Sequence, residues 1–387
     1  MDSITVVMLD DDAFLLKALK RTMQRMCPEA CIETFSELEP FWCYLREHPH
    51  VDLVISDYLM PHMHGLDVLE RCTEENSYPV RALLTGDMTL ATMMRQPNVV
   101  HAYLAKPFNA QDVQALFEAV ADLKRLPFAA SARTALGAMT SFPVSDGLLR
   151  KLKVLVDDDN SDAHEIAAVV AKDPVIMAKV LQLANSAYLG FQRRTSSIDE
   201  AVSRLGTKML MAVASSMAIA KNYQASVPAE SHQRQLDIAS DYACCVKAFA
   251  KACGLNRDAQ EELFATALLS FIGKMILLAE GQDETSLNEA STLEGDGADY
   301  QLISAYVMRL WGYNAKMCSL IMHCHNPVVT DDERHNQQQW VLYTVKQVLF
   351  QGTAPAQLKS WMQLKQIDSA FVLALDVFCW DPWKLKK

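Results

Sequence analysis

The sequence predicts two unlike folds in series: α/β, as a doubly wound five-stranded parallel sheet, and then all-α. Three observations predict this. From residue 1 to about 124, short apolar β-branched runs alternate with segments of helical spacing. The chemically interesting polar residues of that stretch fall at the ends of those runs, not inside them. From about residue 132 onward, helical spacing continues with few strand signals.

Taken in order, Ile4 to Leu9 reads as a strand that ends in Asp10-Asp11-Asp12. Ala13 to Met26 places Leu15, Leu16, Leu19, Met23 and Met26 at helical spacing. Cys31 to Phe35 is a short strand, and Ser36 opens a helix with Pro40 in its first turns. The apolar run from Val51 ends at Asp57, and Pro61 and Gly65 then break the chain before a helix over Leu66 to Cys72. Val80 to Thr85 is the fourth strand, stopped by Gly86. Val100 to Leu104 is the fifth, closed by Ala105-Lys106-Pro107, and Gln111 to Leu123 is an amphipathic closing helix.

Composition limits the partners. The chain has 387 residues, enough for two or three domains, and half of them are hydrophobic. A formal net charge of -11 disfavours nucleic acid and anionic membrane surfaces. The ten cysteines form no CxxC pair and no disulfide-like spacing, so reduced thiols in a cytoplasmic protein are expected. No signal peptide is recognised at Met1-Asp2-Ser3. The apolar stretches Met209 to Ala220 and Ala267 to Leu278 read as too short and interrupted to span a bilayer.

An isolated aspartate at a strand end is more often a solvated cap than a reactive group. Here Asp10, Asp11, Asp57, Thr85 and Lys106 each follow a predicted strand, and a twisted parallel sheet gathers its carboxyl ends at one edge. Clustered carboxylates repel one another and call for a cation such as Mg²⁺. A lysine and a hydroxyl beside them suit a phosphoryl group.

This set resembles the receiver domain of two-component response regulators. The acidic pair is Asp10-Asp11, the D-x-x-M-P-x-x-x-G motif runs from Asp57 through Met60 and Pro61 to Gly65, and the switch hydroxyl is Thr85. The K-P pair is Lys106-Pro107, with an aromatic three residues earlier at Tyr103. The resemblance implies a flavodoxin-like sheet in which Asp57 accepts a phosphoryl group from a sensor histidine kinase or a phosphotransfer protein. It implies that Asp11, Asp57 and the Leu59 carbonyl hold Mg²⁺, with Asp10 helping through water and Lys106 neutralising charge. Thr85 then swings to the phosphoryl group and Tyr103 rotates inward behind it, changing the surface after the fourth and fifth strands.

Residues 125–134 read as a linker whose apolar residues let it pack. In the helical part, Asp173-Pro174 is an N-cap followed by proline, Ser197 to Glu200 a capping box, and Gly206 a helix end. Apolar spacing recurs over Tyr242 to Ala252, Leu263 to Leu278 and Trp340 to Leu349, while Gln282 to Gly297 reads as an exposed loop. Phe142-Pro143, Ile166-Ala167 with Asp173-Pro174, Leu181 to Tyr188 around Asn185, and Trp311-Gly312 with Ile321 to Pro327 resemble the HDOD domain, a helical relative of HD phosphohydrolases. The expected division is a receiver over 1–124, HDOD over 135–335 and a helical extension over 336–387. Asn185 reads more naturally as a cap that organises the core than as a ligand contact.

Active HD enzymes carry adjacent His and Asp metal ligands; here that position holds Ser270-Phe271, within Leu268 to Lys274, and an upstream His position aligns with Ser240. A ring cannot ligate a metal, so the helical half is expected not to be an enzyme. Cys318, His323, Cys324 and His325 have the wrong spacing for a closed zinc site and read as partly buried side chains near a helix end. The 19 methionines read as core filler. The leading expectation is a response regulator whose output acts through an unknown protein, or through homodimer association, with cyclic-di-GMP networks suggested by the resemblance alone. The alternatives are a receiver-controlled metal-dependent phosphohydrolase or cyclic-di-GMP phosphodiesterase, and, less well supported by the acidic charge, a transcription factor.

Overall fold

The computed structural model describes residues 4–75, 79–86, 99–107, 110–128, 130–139, 144, 146–157, 161–186, 191, 193–219, 229–279, 300–364, 367 and 369–383. The predicted places of Phe142-Pro143, Ala187-Tyr188, the loop Gln282 to Gly297 and a helix between the fourth and fifth strands lie outside those residues.

Five strands, β1 (Thr5–Leu9), β2 (Cys31–Phe35), β3 (Leu53–Asp57), β4 (Val80–Thr85) and β5 (Ala102–Ala105), form one parallel sheet in the order β2-β1-β3-β4-β5. β3 and β4 are buried along their whole length, as near-continuous apolar strands between two helical layers should be. The last strand starts two residues later than expected. His101 already donates its backbone N–H to Arg81 O at 2.9 Å, but the side-by-side pairing begins at Ala102.

Among the described residues four helices flank this sheet: α1 (Ala13–Met26), α2 (Leu38–Glu47), α3 (Gly65–Glu75) and α4 (Ala110–Arg125). Each buries a stripe at helical spacing, Leu16, Leu19 and Met23 on α1 and Val113, Leu116, Val120 and Leu123 on α4. The third aspartate of the first cluster starts α1. Asp12 accepts the backbone N–H groups of Phe14 at 2.9 Å and Leu15 at 3.1 Å. Gly65 is demanded by contact, since a Cβ there would sit 1.9 Å from Asp57 O.

The predicted linker contains a helix, α5 (Ala130–Ala138), so a boundary at residue 134 cuts a continuous element. Then follow α6 (Asp146–Asp157), α7 (Ala163–Val170), α8 (Pro174–Ala184), α9 (Ile198–Ile219) and α10 (Ala229–Ala252). Gly206, non-helical at φ 72° and ψ 164°, ends the first helical segment of α9 as expected, and a second segment follows across the kink. The predicted helix over Leu263 to Leu278 is two, α11 (Arg257–Leu269) and α12 (Ile272–Ala279), with Ser270 and Phe271 as the turn between them. Taken together, the 23 residues Arg257–Ala279 are by length and composition alone long and apolar enough to cross a membrane, though the turn at Ser270 and Phe271 interrupts them. Their most apolar 18-residue window is 94% buried inside the protein, as a core helix pair is.

The rest is α13 (Tyr300–Leu310), α14 (Ala315–Met322), α15 (Glu333–Leu349), α16 (Pro355–Leu364) and α17 (Ser369–Val377). The expected boundary at 335/336 falls inside α15, whose buried residues run from His335 to Lys346. The C-terminal extension covers the helical half: Trp380 packs on Phe249 with ring centroids 5.2 Å apart.

Candidate functional site

The sheet gathers the predicted polar residues as the topology requires. β1 and β3 are neighbours, so Asp10, just past β1, and Asp57, the last residue of β3, end side by side. Asp10, Asp11 and Asp57 each offer a carboxylate oxygen, all within 4.8 Å of one another. Asp10 and Asp57 are 2% and 6% exposed, while Asp11 is exposed. Two anions so close and so dry need positive charge. Lys106 supplies it, with Nζ 2.6 Å from Asp57 Oδ1 and 3.0 Å from Asp10 Oδ2.

The electrostatics follow from that packing. Burial pushes the Asp57 carboxyl above its ordinary pKa; the Lys106 ammonium works against this, and the Asp10 charge adds to it. Burial alone would lower the Lys106 pKa, but its bonds to Asp57 and Asp10 prevail and raise it. For an acid raised on folding, the folded state holds its proton more tightly than the unfolded state. Asp57 therefore favours folding at low pH, and that contribution is lost as pH rises through the raised pKa. Asp57→Asn is expected to melt at a higher temperature than wild type at pH 7, with the gap closing towards pH 4. Differential scanning calorimetry across that range checks it, and a lower Tm for the variant at pH 7 contradicts it.

The remaining residues fall around this centre. Thr85 ends β4, is 2% exposed, and its Oγ1 is buried with no hydrogen-bond partner among the described residues. Tyr103 lies across from Leu83 on β5 and is 9% exposed, so its ring is already covered. Leu59 is 55% exposed beyond the end of β3. The donor set of three carboxylate oxygens suits a hard, oxygen-loving divalent cation, and the close approach of those oxygens fits one.

The helical half differs at its corresponding place. Ser270 donates its hydroxyl to Ala267 O at 2.7 Å, and Phe271, 2% exposed, lies among Tyr242, Tyr300 and Phe350 at 6.0–6.4 Å between ring centroids. The nearby Lys274 and Lys346 are 3% and 2% exposed. Gly273 packs so tightly that a Cβ would stand 2.0 Å from Tyr300 O. The Cys318–His325 residues diverge: Cys324 Sγ accepts from Lys346 Nζ at 3.3 Å, His323 meets Ser319, and His325 accepts from Gln301 at 2.5 Å. Burial, helped by Lys346, pushes the His325 pKa down to about 3. The cluster of Asp10, Asp11 and Asp57 is the one grouping of possible metal ligands among the described residues.

Asp173 caps α8, fully buried, accepting from Val175 N at 2.8 Å and Ile176 N at 3.1 Å, with Pro174 in the first turn. Asn185 closes the same helix and clamps Thr195, accepting its N–H at 2.8 Å and donating to its carbonyl at 2.9 Å. Sequence reasoning passes over Arg81 and His101. The legible signal for the first is a charged residue inside the apolar run Val80 to Leu84.

Comparison with known proteins finds two family matches along the chain. A response regulator receiver domain model matches residues 6–118, and an HDOD domain model matches residues 142–327. The response regulator GtcR of Aneurinibacillus migulanus is 30% identical over 117 residues, 30% of this chain and 47% of that protein. The chain thus spans about half the length of that curated relative. A chemotaxis protein CheY homolog of Campylobacter jejuni is 26% identical over 120 residues, 30% of this chain and 90% of that one. A solved structure of the MmoQ response regulator from Methylococcus capsulatus aligns with a TM-score of 0.44 and 14% identity, over 62% of this chain and 98% of that one.

Proposed function

The chain belongs to the response regulators, a receiver domain followed by an HDOD domain, and from that premise we propose that Asp57 is its phosphoryl acceptor and the HDOD half its non-catalytic output. The convergence of Asp57, Asp10, Asp11 and Lys106 at one sheet edge is the observation that carries this reading. An Asp57 carboxylate oxygen attacks the phosphorus of a phosphohistidine, the P–N bond breaks, and the imidazole leaves with a proton. Lys106 Nζ stands against Asp57 and can follow the negative charge on to the phosphoryl oxygens. A Mg²⁺ ion held by Asp10, Asp11, Asp57 and the Leu59 carbonyl would add the positive charge that phosphoryl transfer needs. The unsatisfied Thr85 hydroxyl is a ready donor to a phosphoryl oxygen, and Tyr103 is the aromatic neighbour that would register its movement.

The donor partner under this reading is a sensor histidine kinase or a phosphotransfer protein in the cytoplasm. The output is a protein contact made by the HDOD half, or an altered homodimer, with cyclic-di-GMP signalling as one setting for it. Phe271 and the buried lysines support a structural role for the place where an HD enzyme holds its metal, because cations and rings repel or exclude a divalent ion.

Acetyl phosphate with Mg²⁺ is expected to add one phosphoryl group per chain, read by intact-mass spectrometry. Asp57→Asn is expected to abolish the addition. Equal labelling of that variant would overturn the assignment, and turnover of a cyclic dinucleotide with added Mn²⁺ would overturn the non-catalytic output.

A further inference from the structure

The end of α14 brings a thiol and an amine together inside the helical half. Cys324 stands two residues past α14, in the bend that leads towards α15. It is buried, between the half-buried His323 and His325. Lys346 of α15 is buried as well, and its Nζ donates to Cys324 Sγ at 3.3 Å. The two residues are 22 apart in the chain, so the amine reaches back from the helix to the bend that precedes it.

The surroundings hold the amine against the sulfur. Lys346 Nζ lies 5.3 Å from the centroid of the Tyr300 ring, which also meets Phe271 and His325. Burial lowers the Lys346 pKa, but Cys324 and Tyr300 outweigh it and hold the ammonium above its ordinary value. A cation beside a sulfur favours the thiolate, which is the reactive form. Other buried thiols form a contrast. Burial pushes Cys72, Cys245, Cys253 and Cys318 up to about 12, so they stay protonated and inert.

We propose that Cys324 and Lys346 are a peroxide-responsive pair that closes into a covalent Sγ–Nζ sulfenamide, stapling the end of α14 to α15. The Cys324 sulfur attacks one oxygen of hydrogen peroxide, and the O–O bond breaks. The departing hydroxide takes a proton from the Lys346 ammonium and leaves as water. The sulfur is then a sulfenic acid, oxidised by two electrons, and the amine beside it is neutral. The Nζ lone pair attacks Sγ, the S–O bond breaks, and the hydroxyl leaves as water with a proton from Nζ. Overall, a thiol, an amine and one hydrogen peroxide become a sulfenamide and two water molecules, as sulfenic acids do with a neighbouring nitrogen. Burial protects the product from hydrolysis, and closure keeps a second peroxide from carrying the sulfur on to sulfinic acid. The way in is short, because Asn326 and the run Val328 to Arg334 are exposed, and a local opening of the bend admits a molecule little larger than water.

The test uses the full chain, freed of reductant and treated with hydrogen peroxide, then unfolded, alkylated and digested with trypsin. The expected product is a peptide pair joined through Cys324 and Lys346, lighter by two hydrogen atoms than the separate peptides. Cleavage after Lys346 should be blocked, and dithiothreitol should restore it. Cys318 shares a tryptic peptide with Cys324, so fragmentation of the pair assigns the sulfur. Lys346→Arg keeps the positive charge without the amine, and is expected to lose the link and to carry Cys324 as sulfinic acid. Wild-type Cys324 recovered as a free thiol or as sulfinic acid, with cleavage after Lys346 intact, would overturn the pair. So would a link through Cys318, or one that survives in Lys346→Arg. The link is read directly in wild type, so the result stands even where the variant fails to fold.

Discussion

Phe271→Ala is expected to destabilise the helical half by about 3–5 kcal/mol, as large-to-small changes at fully buried aromatic positions do. The ring is 2% exposed, and three aromatic neighbours, Tyr242, Tyr300 and Phe350, surround it. The turn it occupies joins α11 to α12, and Gly273 two residues later admits no Cβ against Tyr300, so the surroundings have little freedom to collapse into a cavity. Since a whole domain is typically stable by about 5–15 kcal/mol, such a loss leaves the HDOD half marginal. Urea unfolding followed by far-ultraviolet circular dichroism measures it, with acetyl phosphate labelling of Asp57 as the control that the receiver half persists. A loss below about 1 kcal/mol would mean that the position tolerates a smaller side chain, and so that a metal-ligating pair is not excluded by packing.

Gly65→Ala is expected to damage the receiver twice. The added Cβ would stand 1.9 Å from Asp57 O, 2.8 Å from Asp57 C and 3.0 Å from Leu83 Cδ1. Two of those atoms are backbone of the acceptor strand and cannot swing aside. Overpacking of this kind costs about 3 kcal/mol or more, at the upper end of its usual range. The relief available is a shift of Asp57 away from Lys106 and Asp10, and a displacement of about 1 Å at a reacting group can cost a hundredfold in rate. The expected outcome is a lower Tm by calorimetry together with much slower phosphoryl uptake from acetyl phosphate. Wild-type labelling in a chain of lowered Tm would show that α3 yields instead of the acceptor strand.

Much of the candidate site could be read from residue order. Asp10, Asp57, Thr85 and Lys106 were legible because a parallel sheet sends every strand's carboxyl end to the same edge, so a polar residue closing an apolar run has few other places to be. Arg81 and His101 were not, because a charge inside an apolar run carries no sign of what it will bond, and the Gly137 carbonyl that accepts from Arg81 lies 56 residues further along. The single helix read over Leu263 to Leu278 is two because its apolar spacing runs unbroken through the turn at Ser270 and Phe271, where both residues are buried. Periodicity reports burial, and a buried turn imitates a buried helix. The expected boundaries at 134 and 335 fell within α5 and α15, since composition shifts do not mark where a helix begins.

What the sequence determined alone was the order of apolar runs and breaks, the alternation that forces crossovers between parallel strands, and the placement of acids, hydroxyl and lysine at the ends of those runs. Local caps such as Asp12 and Asp173 belong to the same class, because each bonds within three residues of itself. Tertiary structure decided the rest: the Lys106 bridge to two carboxylates, the bare Thr85 hydroxyl, and the seam where Arg309 meets Asp122 across 187 residues of chain. Such contacts depend on where whole helices come to lie. That is fixed by the summed burial of many apolar side chains, and no short stretch of sequence contains it.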